Sequence, residues 1–314
     1  MLGALLLCSL VGKAQTSSGE GFSETVSPKS GASKESKWFI RAYSSYGLPI
    51  ASSYRPGNST SKQVAANTYE NTINRKGLGQ GWHVGGGIGY ILNENINLGI
   101  DVDQYWSGKI TSTNQSGYFN IYPISEGRVD TSFSSTFSSQ RIEAKMLSVT
   151  PNITFKAISR PDFYIYNRLG ITIGVRNELT QYQRDSSATS YIYNGRKTNV
   201  SENTYEYKGG IPLGFQASLG VHIRLTQSIR FFAEAQFTHL TYSPKKRILT
   251  QSFVNGNDRL LEEDLTPLNE RETHYVDTYT KNYQKTDKDK ATEQTKIRIP
   301  YTSVGLSAGL AYRF

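Results

Sequence analysis

The sequence predicts an all-β chain: an eight-stranded antiparallel up-and-down transmembrane β-barrel with four long extracellular loops. Three observations predict it. Apolar and polar residues alternate with period two in eight segments between Trp38 and Phe314. The connections between those segments are short and long by turns. The composition is polar and aromatic rather than charged, with 37% hydrophobic, 19% charged and 12% aromatic residues. That is lean for two soluble cores in 314 residues. It suits strands that turn one face in two to lipid.

The N-terminus comes first. Residues 2–12 read LGALLLCSLVG, an apolar stretch too short to span a bilayer and of the right length for a secretory signal core. Gly12-Lys13-Ala14 offers small residues three and one positions before a cut. Residues 1–14 are therefore expected to be a signal peptide, and the Ser/Gly-rich residues 15–37 a periplasmic linker. The barrel is expected over 38–314.

Eight strands follow in order. Over 38–48, Trp38, Ile40 and Ala42 oppose Phe39, Arg41, Tyr43 and Ser45. Over 80–92, Trp82, Val84, Ile88 and Tyr90 oppose His83 and four glycines. In 96–107, Leu98, Ile100, Val102 and Trp106 oppose Asn97, Asp101, Asp103 and Tyr105. In 142–157, Leu147, Val149, Ile153 and Phe155 oppose Met146, Ser148, Thr150 and Asn152, with Pro151 promising a local irregularity. In 163–176, Leu169, Ile171 and Ile173 oppose Tyr166, Arg168 and Thr172, with Asn167 out of place on the apolar face. The last three are 209–224, 229–242 and 299–314, the sixth and seventh placing Gln216 and Glu234 on the polar face.

Connections after the second, fourth and sixth strands are tight turns, and the others run to about 30 residues or more, as short periplasmic turns and long outer loops do. Both termini then lie in the periplasm. Aromatics mark the strand ends: Trp38, Phe163, Tyr312 and Phe314 at one rim, Trp82 and Trp106 at the other. Membrane interfaces select such girdles. Trp38, Trp82 and Trp106 are the expected interface anchors.

The C-terminal residues Ser307-Ala308-Gly309-Leu310-Ala311-Tyr312-Arg313-Phe314 resemble the β-signal of gram-negative outer-membrane barrels. The strand plan resembles the OmpA/OmpX-type eight-stranded barrel within the porin-like outer-membrane β-barrel superfamily. This resemblance implies recognition by the barrel-assembly machinery through Gly309, Tyr312 and Phe314. It also implies an integral outer-membrane location, beside membrane lipid and lipopolysaccharide.

An eight-stranded barrel is only wide enough to be filled by its own side chains. Buried charges need partners, so Asp101, Asp103 and Glu234 are expected to pair with Arg41 and Arg168 across the lumen. The loops are rich in Tyr, Ser, Gly and Asn, which make adaptable contact surfaces. The expected role is structural or interactive, by adhesion or docking of an extracellular ligand or protein. A narrow passive channel for ions or small hydrophilic solutes is the alternative. Less expected is action on lipid A through His83, near Asp103, because no serine is spaced to pair with it. No catalytic residue, cofactor or metal is expected: one cysteine and four scattered histidines make no metal cluster. The net charge of +9 is spread along the chain, without the basic platform that nucleic acid requires.

Overall fold

The computed structural model describes residues 36–50, 59–65, 68–73, 77–125, 128–160, 162–191, 195–260, 267–278 and 287–314. The expected signal peptide and linker residues 15–35 lie outside them.

The described residues form one sheet of 17 strands, almost all antiparallel. The first five are β1 (Trp38–Pro49), β2 (Ser59–Ala65), β3 (Thr68–Ile73), β4 (Gly81–Ile91) and β5 (Ile96–Ser107). Then come β6 (Ile110–Ser125), β7 (Arg128–Ser159), β8 (Phe163–Tyr191) and β9 (Gly195–Lys208). Next are β10 (Leu213–Arg224), β11 (Ile229–Tyr242), β12 (Lys246–Val254) and β13 (Asn257–Asp258). A single helical turn, α1 (Leu268–Arg271), precedes β14 (Glu272–Val276), β15 (Thr292–Thr295), β16 (Ile299–Pro300) and β17 (Ser303–Arg313).

Eight of these strands pair in a ring. Strand β1 pairs with β4, β4 with β5, β5 with β7 and β7 with β8. From there β8 pairs with β10, β10 with β11, β11 with β17, and β17 returns to β1. The ring strands contain the eight alternating segments. Their apolar positions face outward: Ile40, Val84, Ile100, Ile171, Leu219 and Leu306 are all exposed. Their polar positions face inward and are buried, among them Ser45, Asp101, Thr150, Arg168, Ser218, Glu234 and Ser307. A soluble sheet would show the opposite polarity.

Three expectations are corrected. The sheet as a whole has 17 strands, not eight: β2, β3, β6, β9 and β12 to β15 lie in the connections expected as loops. Strands β7 and β8 run on for 32 and 29 residues, far past the ring. The added length alternates in Ser, Thr and Gln, which carry little hydropathy contrast, so its pairing is invisible to period counting. Finally, the sixth and eighth ring strands begin later than expected, at Leu213 and Ser303. Gly209 and Gly210 hold φ of 75° and 80°, which ends β9 and keeps β10 from starting there.

Beyond the ring, β6, β7, β8, β9 and β12 pair in that order as a five-stranded antiparallel sheet. Asn255 and Gly256, both at positive φ, turn β12 into β13 as a type I′ hairpin requires. Around Pro151 the β7–β8 ladder shifts register at Leu147/Ser148 and again at Lys156/Ile158. The β5 side stays regular, with Pro151 opposite Ile100.

Candidate functional site

The interior of the ring is layered. At its middle lie Arg41 on β1, Asp101 on β5, Arg168 on β8 and Glu234 on β11. These strands occupy every second place in the ring, so one charged side chain enters from each quarter. Arg41 Nε lies 3.0 Å from Asp101 Oδ1, and Arg168 Nη1 lies 3.0 Å from Asp101 Oδ2. Arg168 Nη2 lies 2.5 Å from Glu234 Oε2, and Arg41 Nη1 lies 3.2 Å from Glu234 Oε1. The result is a closed square of alternating sign and zero net charge.

The intervening strands leave room for it. A Cβ on Gly87 of β4 would come within 2.1 Å of Asp101 Oδ1. One on Gly220 of β10 would come within 2.7 Å of Glu234 Cγ. Asn152 Nδ2 donates to Asp101 Oδ2 at 2.8 Å, and the Tyr166 hydroxyl donates to Glu234 Oε1 at 2.5 Å. The Arg41 guanidinium also packs over the rings of Tyr43 and Phe232. Desolvating four charges is thus offset by ion pairs, hydrogen bonds and ring faces together.

Asp103 does not join the square, contrary to expectation. It pairs with His83 Nδ1 at 2.6 Å, one layer further toward the extension. Two residues beyond Asp101 on the same inward face, it is carried out of reach of both arginines. The His83 ring lies 4.4 Å from that of Tyr105, whose hydroxyl donates to the carbonyls of Leu78 and Gln80.

Above that pair the interior turns apolar. Leu78, Tyr105, Ile110, Ile142, Ala144, Met146, Leu179 and Leu240 are buried in one cluster with Tyr242, Ile299 and Tyr301. Sequence reasoning missed this plug. Its signal was present: Ile142, Ala144 and Met146 are apolar at inward positions, while Leu147 and Val149 carry the outward phase.

The outer aromatics fall at two levels. Trp38 is 49% exposed and stacks edge-on with Tyr90 at 5.0 Å, near Tyr312 and Phe314. Trp82 and Trp106, 58% and 41% exposed, sit opposite each other in the β4–β5 ladder, and Tyr46 packs on Trp82 at 5.0 Å. Trp38 and Tyr46 lie on one strand; at about 3.4 Å per residue and a tilt of about 40°, the levels are roughly 20 Å apart along the ring axis. A transmembrane barrel carries an apolar band of about 25 Å. Gly309 lies where β17 meets β1, and a Cβ there would come within 2.1 Å of the Ala42 carbonyl oxygen.

No family model and no curated protein matches this sequence. Among solved structures it is similar to the CymD monoaromatic hydrocarbon channel, at 8% identity over 89% of each chain, with a TM-score of 0.20. It is also similar to the Ralstonia pickettii toluene transporter TbuX, at 8% identity over 88% of this chain and 89% of that one, with a TM-score of 0.17. Likeness at that level carries no argument about activity.

The five-stranded sheet beyond the ring offers a second candidate. One face lines a cavity of about 450 Å³. Arg141, Tyr182, Thr204 and Gln251 share one row across four strands, and Arg184, Glu202 and Phe253 share the next. Arg141 lies over the Tyr182 ring at 4.4 Å, and Arg184 pairs with Glu202 at 3.3 Å. On the same sheet Arg247 covers Tyr205, whose hydroxyl burial pushes above its ordinary range while that cation pulls the other way. Aromatic faces set among guanidinium, amide and carboxylate groups suit a hydroxyl-rich ligand, with rings to stack and planar groups to exchange paired hydrogen bonds.

Proposed function

We propose that this chain is an integral outer-membrane β-barrel of eight membrane-crossing strands with a sealed lumen, acting through the sheet that rises beyond it. The observation that carries the reading is the inverted polarity of the ring: exposed aliphatic side chains between two aromatic levels, and buried charges inside. Lipid is the solvent that stabilises such a surface. In this reading Trp38, Trp82 and Trp106 anchor the two interfaces, and Gly309, Tyr312 and Phe314 serve as the assembly signal. The short connections at 92–95, 160–162 and 225–228 face the periplasm.

The charge square and the apolar plug stand in series across the lumen, which argues against free passage. The surface role then falls to the face around Arg141, Tyr182 and Phe253. A saccharide chain, at the cell surface or on another cell, is the ligand class its chemistry fits. An OmpA/OmpX-type membership rests on the strand plan and the C-terminal motif. A narrow path for ions or small hydrophilic solutes is the second reading. It is favoured by a polar wall beside the square, with Thr150, Thr172, Gln216, Ser218 and Gln236 all inward.

One gel and one bilayer experiment test these readings. Purified protein should migrate differently on a detergent gel before and after boiling; identical migration counts against a barrel. In planar bilayers the sealed form should be silent, and steady openings would establish the path instead.

A further inference from the structure

The end of the ring that holds Phe39 and Arg313 contains a cavity of about 90 Å³ that the reading above leaves without a role. Lys156, Arg160, Arg230 and Arg313 line it, and no acidic residue does. Among the ion pairs of the described residues none involves Lys156, Arg160 or Arg230. Lys156 Nζ and the Arg230 guanidinium both lie over the Tyr164 ring, at 5.1 and 5.3 Å, so one aromatic ring gathers two cations. Glu94 and Asp162 of the adjoining turns are not among the lining residues, and of the two only Glu94 acts electrostatically on Lys156, from outside the cavity.

Two buried polar groups in the same wall have no hydrogen-bond partner. His222 is 6% exposed and its Nδ1 is unpaired; Asn97 is 4% exposed and its Oδ1 is unpaired. Stacking on Tyr164 at 4.6 Å and on Phe232 at 5.1 Å fixes the His222 ring in place. Unpaired buried polar atoms are costly, and clustered cations without carboxylates attract an anion. The volume is about three times a water's share of the liquid, which suits a tetrahedral oxyanion.

We propose that this cavity binds a phosphate group, with Lys156, Arg160 and Arg230 neutralising its charge and His222 and Asn97 reading its polar edge. Asn97 Oδ1 accepts only, so the ligand must bring a donor as well as oxyanion oxygens. Hydrogen phosphate does so, and so does a phospholipid headgroup bearing a hydroxyl, such as phosphatidylglycerol. The headgroup arm rests on the membrane reading; the free-phosphate arm does not.

The test uses full-length folded protein in a zwitterionic detergent. Inorganic phosphate is titrated while the His222 ring resonances are followed, with sodium chloride of equal ionic strength as control. In parallel, nanodiscs of phosphatidylglycerol and of phosphatidylcholine are compared by native mass spectrometry for retained lipid. A saturable His222 shift with phosphate, weakened at least tenfold in Lys156→Gln/Arg230→Gln, identifies a free-phosphate site. Selective retention of phosphatidylglycerol, lost in that variant, with no response to phosphate, identifies a headgroup site. An equal response to chloride, no response in either arm, or unchanged binding in the folded variant overturns the proposal. Should the double variant fail to fold, Arg160→Gln at the exposed turn replaces it, under the same criteria. Protein that binds phosphate but shows no boiling-dependent gel shift would sink the membrane reading and leave this one standing.

Discussion

Substituting Asp101→Asn should be among the most destabilising single changes in the ring. The side chain keeps its size, but the square loses one of its two negative charges. Arg41 and Arg168, 3.0 Å from its carboxylate oxygens, are left with Glu234 alone. A net positive charge then stays buried. Removing one partner of a buried pair costs about 3–5 kcal/mol. With a urea slope of about 3 kcal/mol/M, the unfolding midpoint falls by roughly 1–1.7 M. Tryptophan fluorescence in lipid vesicles reads this directly, because Trp38, Trp82 and Trp106 face outward and, in the proposed membrane reading, leave lipid on unfolding. A second variant, Asp101→Leu with Arg168→Met, removes one charge of each sign and leaves the Arg41–Glu234 pair. It should recover most of the loss, since an apolar replacement of a buried pair is often neutral. The reasoning fails if Asp101→Asn shifts stability by less than about 0.5 kcal/mol, or if the double variant costs the sum of its two singles.

Other expectations follow from the same geometry. Gly309→Val should reduce the folded fraction on unboiled gels, because its Cβ would meet the Ala42 carbonyl at 2.1 Å, where backbone cannot yield; wild-type levels of folded protein would refute it. Trypsin added to intact cells should cut within 243–298, where Arg271, Lys288 and Lys290 lie beyond the ring. Cleavage at Arg224, at the turn between β10 and β11, instead would invert the topology. Arg141→Ala and Tyr182→Ala should each weaken saccharide capture on a glycan array by about tenfold, with unchanged gel mobility; equal loss for Lys37→Ala, an exposed residue at the opposite end of the ring, would exclude this face.

The ring was legible in the sequence because side-chain direction in a strand depends only on local order. Every second residue shares a face, so Trp38, Ile40 and Ala42 declare an outward face without any knowledge of their neighbours. Which charges meet is a different kind of quantity. Arg41 and Glu234 are 193 residues apart, and their contact depends on the stagger of β1, β17 and β11. Asp103 shows the consequence: it points into the lumen as alternation predicts, yet stagger gives it to His83. The upper strands were hidden for another reason. Over 128–141 the alternating partners are Ser, Thr, Gln and Phe, and without an apolar solvent outside there is no contrast to count. The cavity proposed to bind phosphate gathers residues from all eight ring strands, so no segment of sequence carries its signature.

The square also bears on how the ring selects its register. A slip of one residue in any of its four strands would turn a charge toward lipid, at a cost of several kcal/mol. A slip of two keeps the charge inside but moves it off its partners. Neutrality alone does not distinguish this second case from the native pairing, whereas alternation does. The variant Arg41→Glu with Glu234→Arg separates the two ideas. It preserves every charge in the lumen and the zero net sum. It sets like charges together along the edges now held at 3.0 Å between positions 41 and 101 and at 2.5 Å between 168 and 234. If only neutrality matters, this variant should fold and shift on the gel like the parent. If alternation fixes the register, it should stay unfolded, and inverting all four positions together should restore the folded band. Recovery by the double swap alone would show that the square balances charge without specifying how the ring closes.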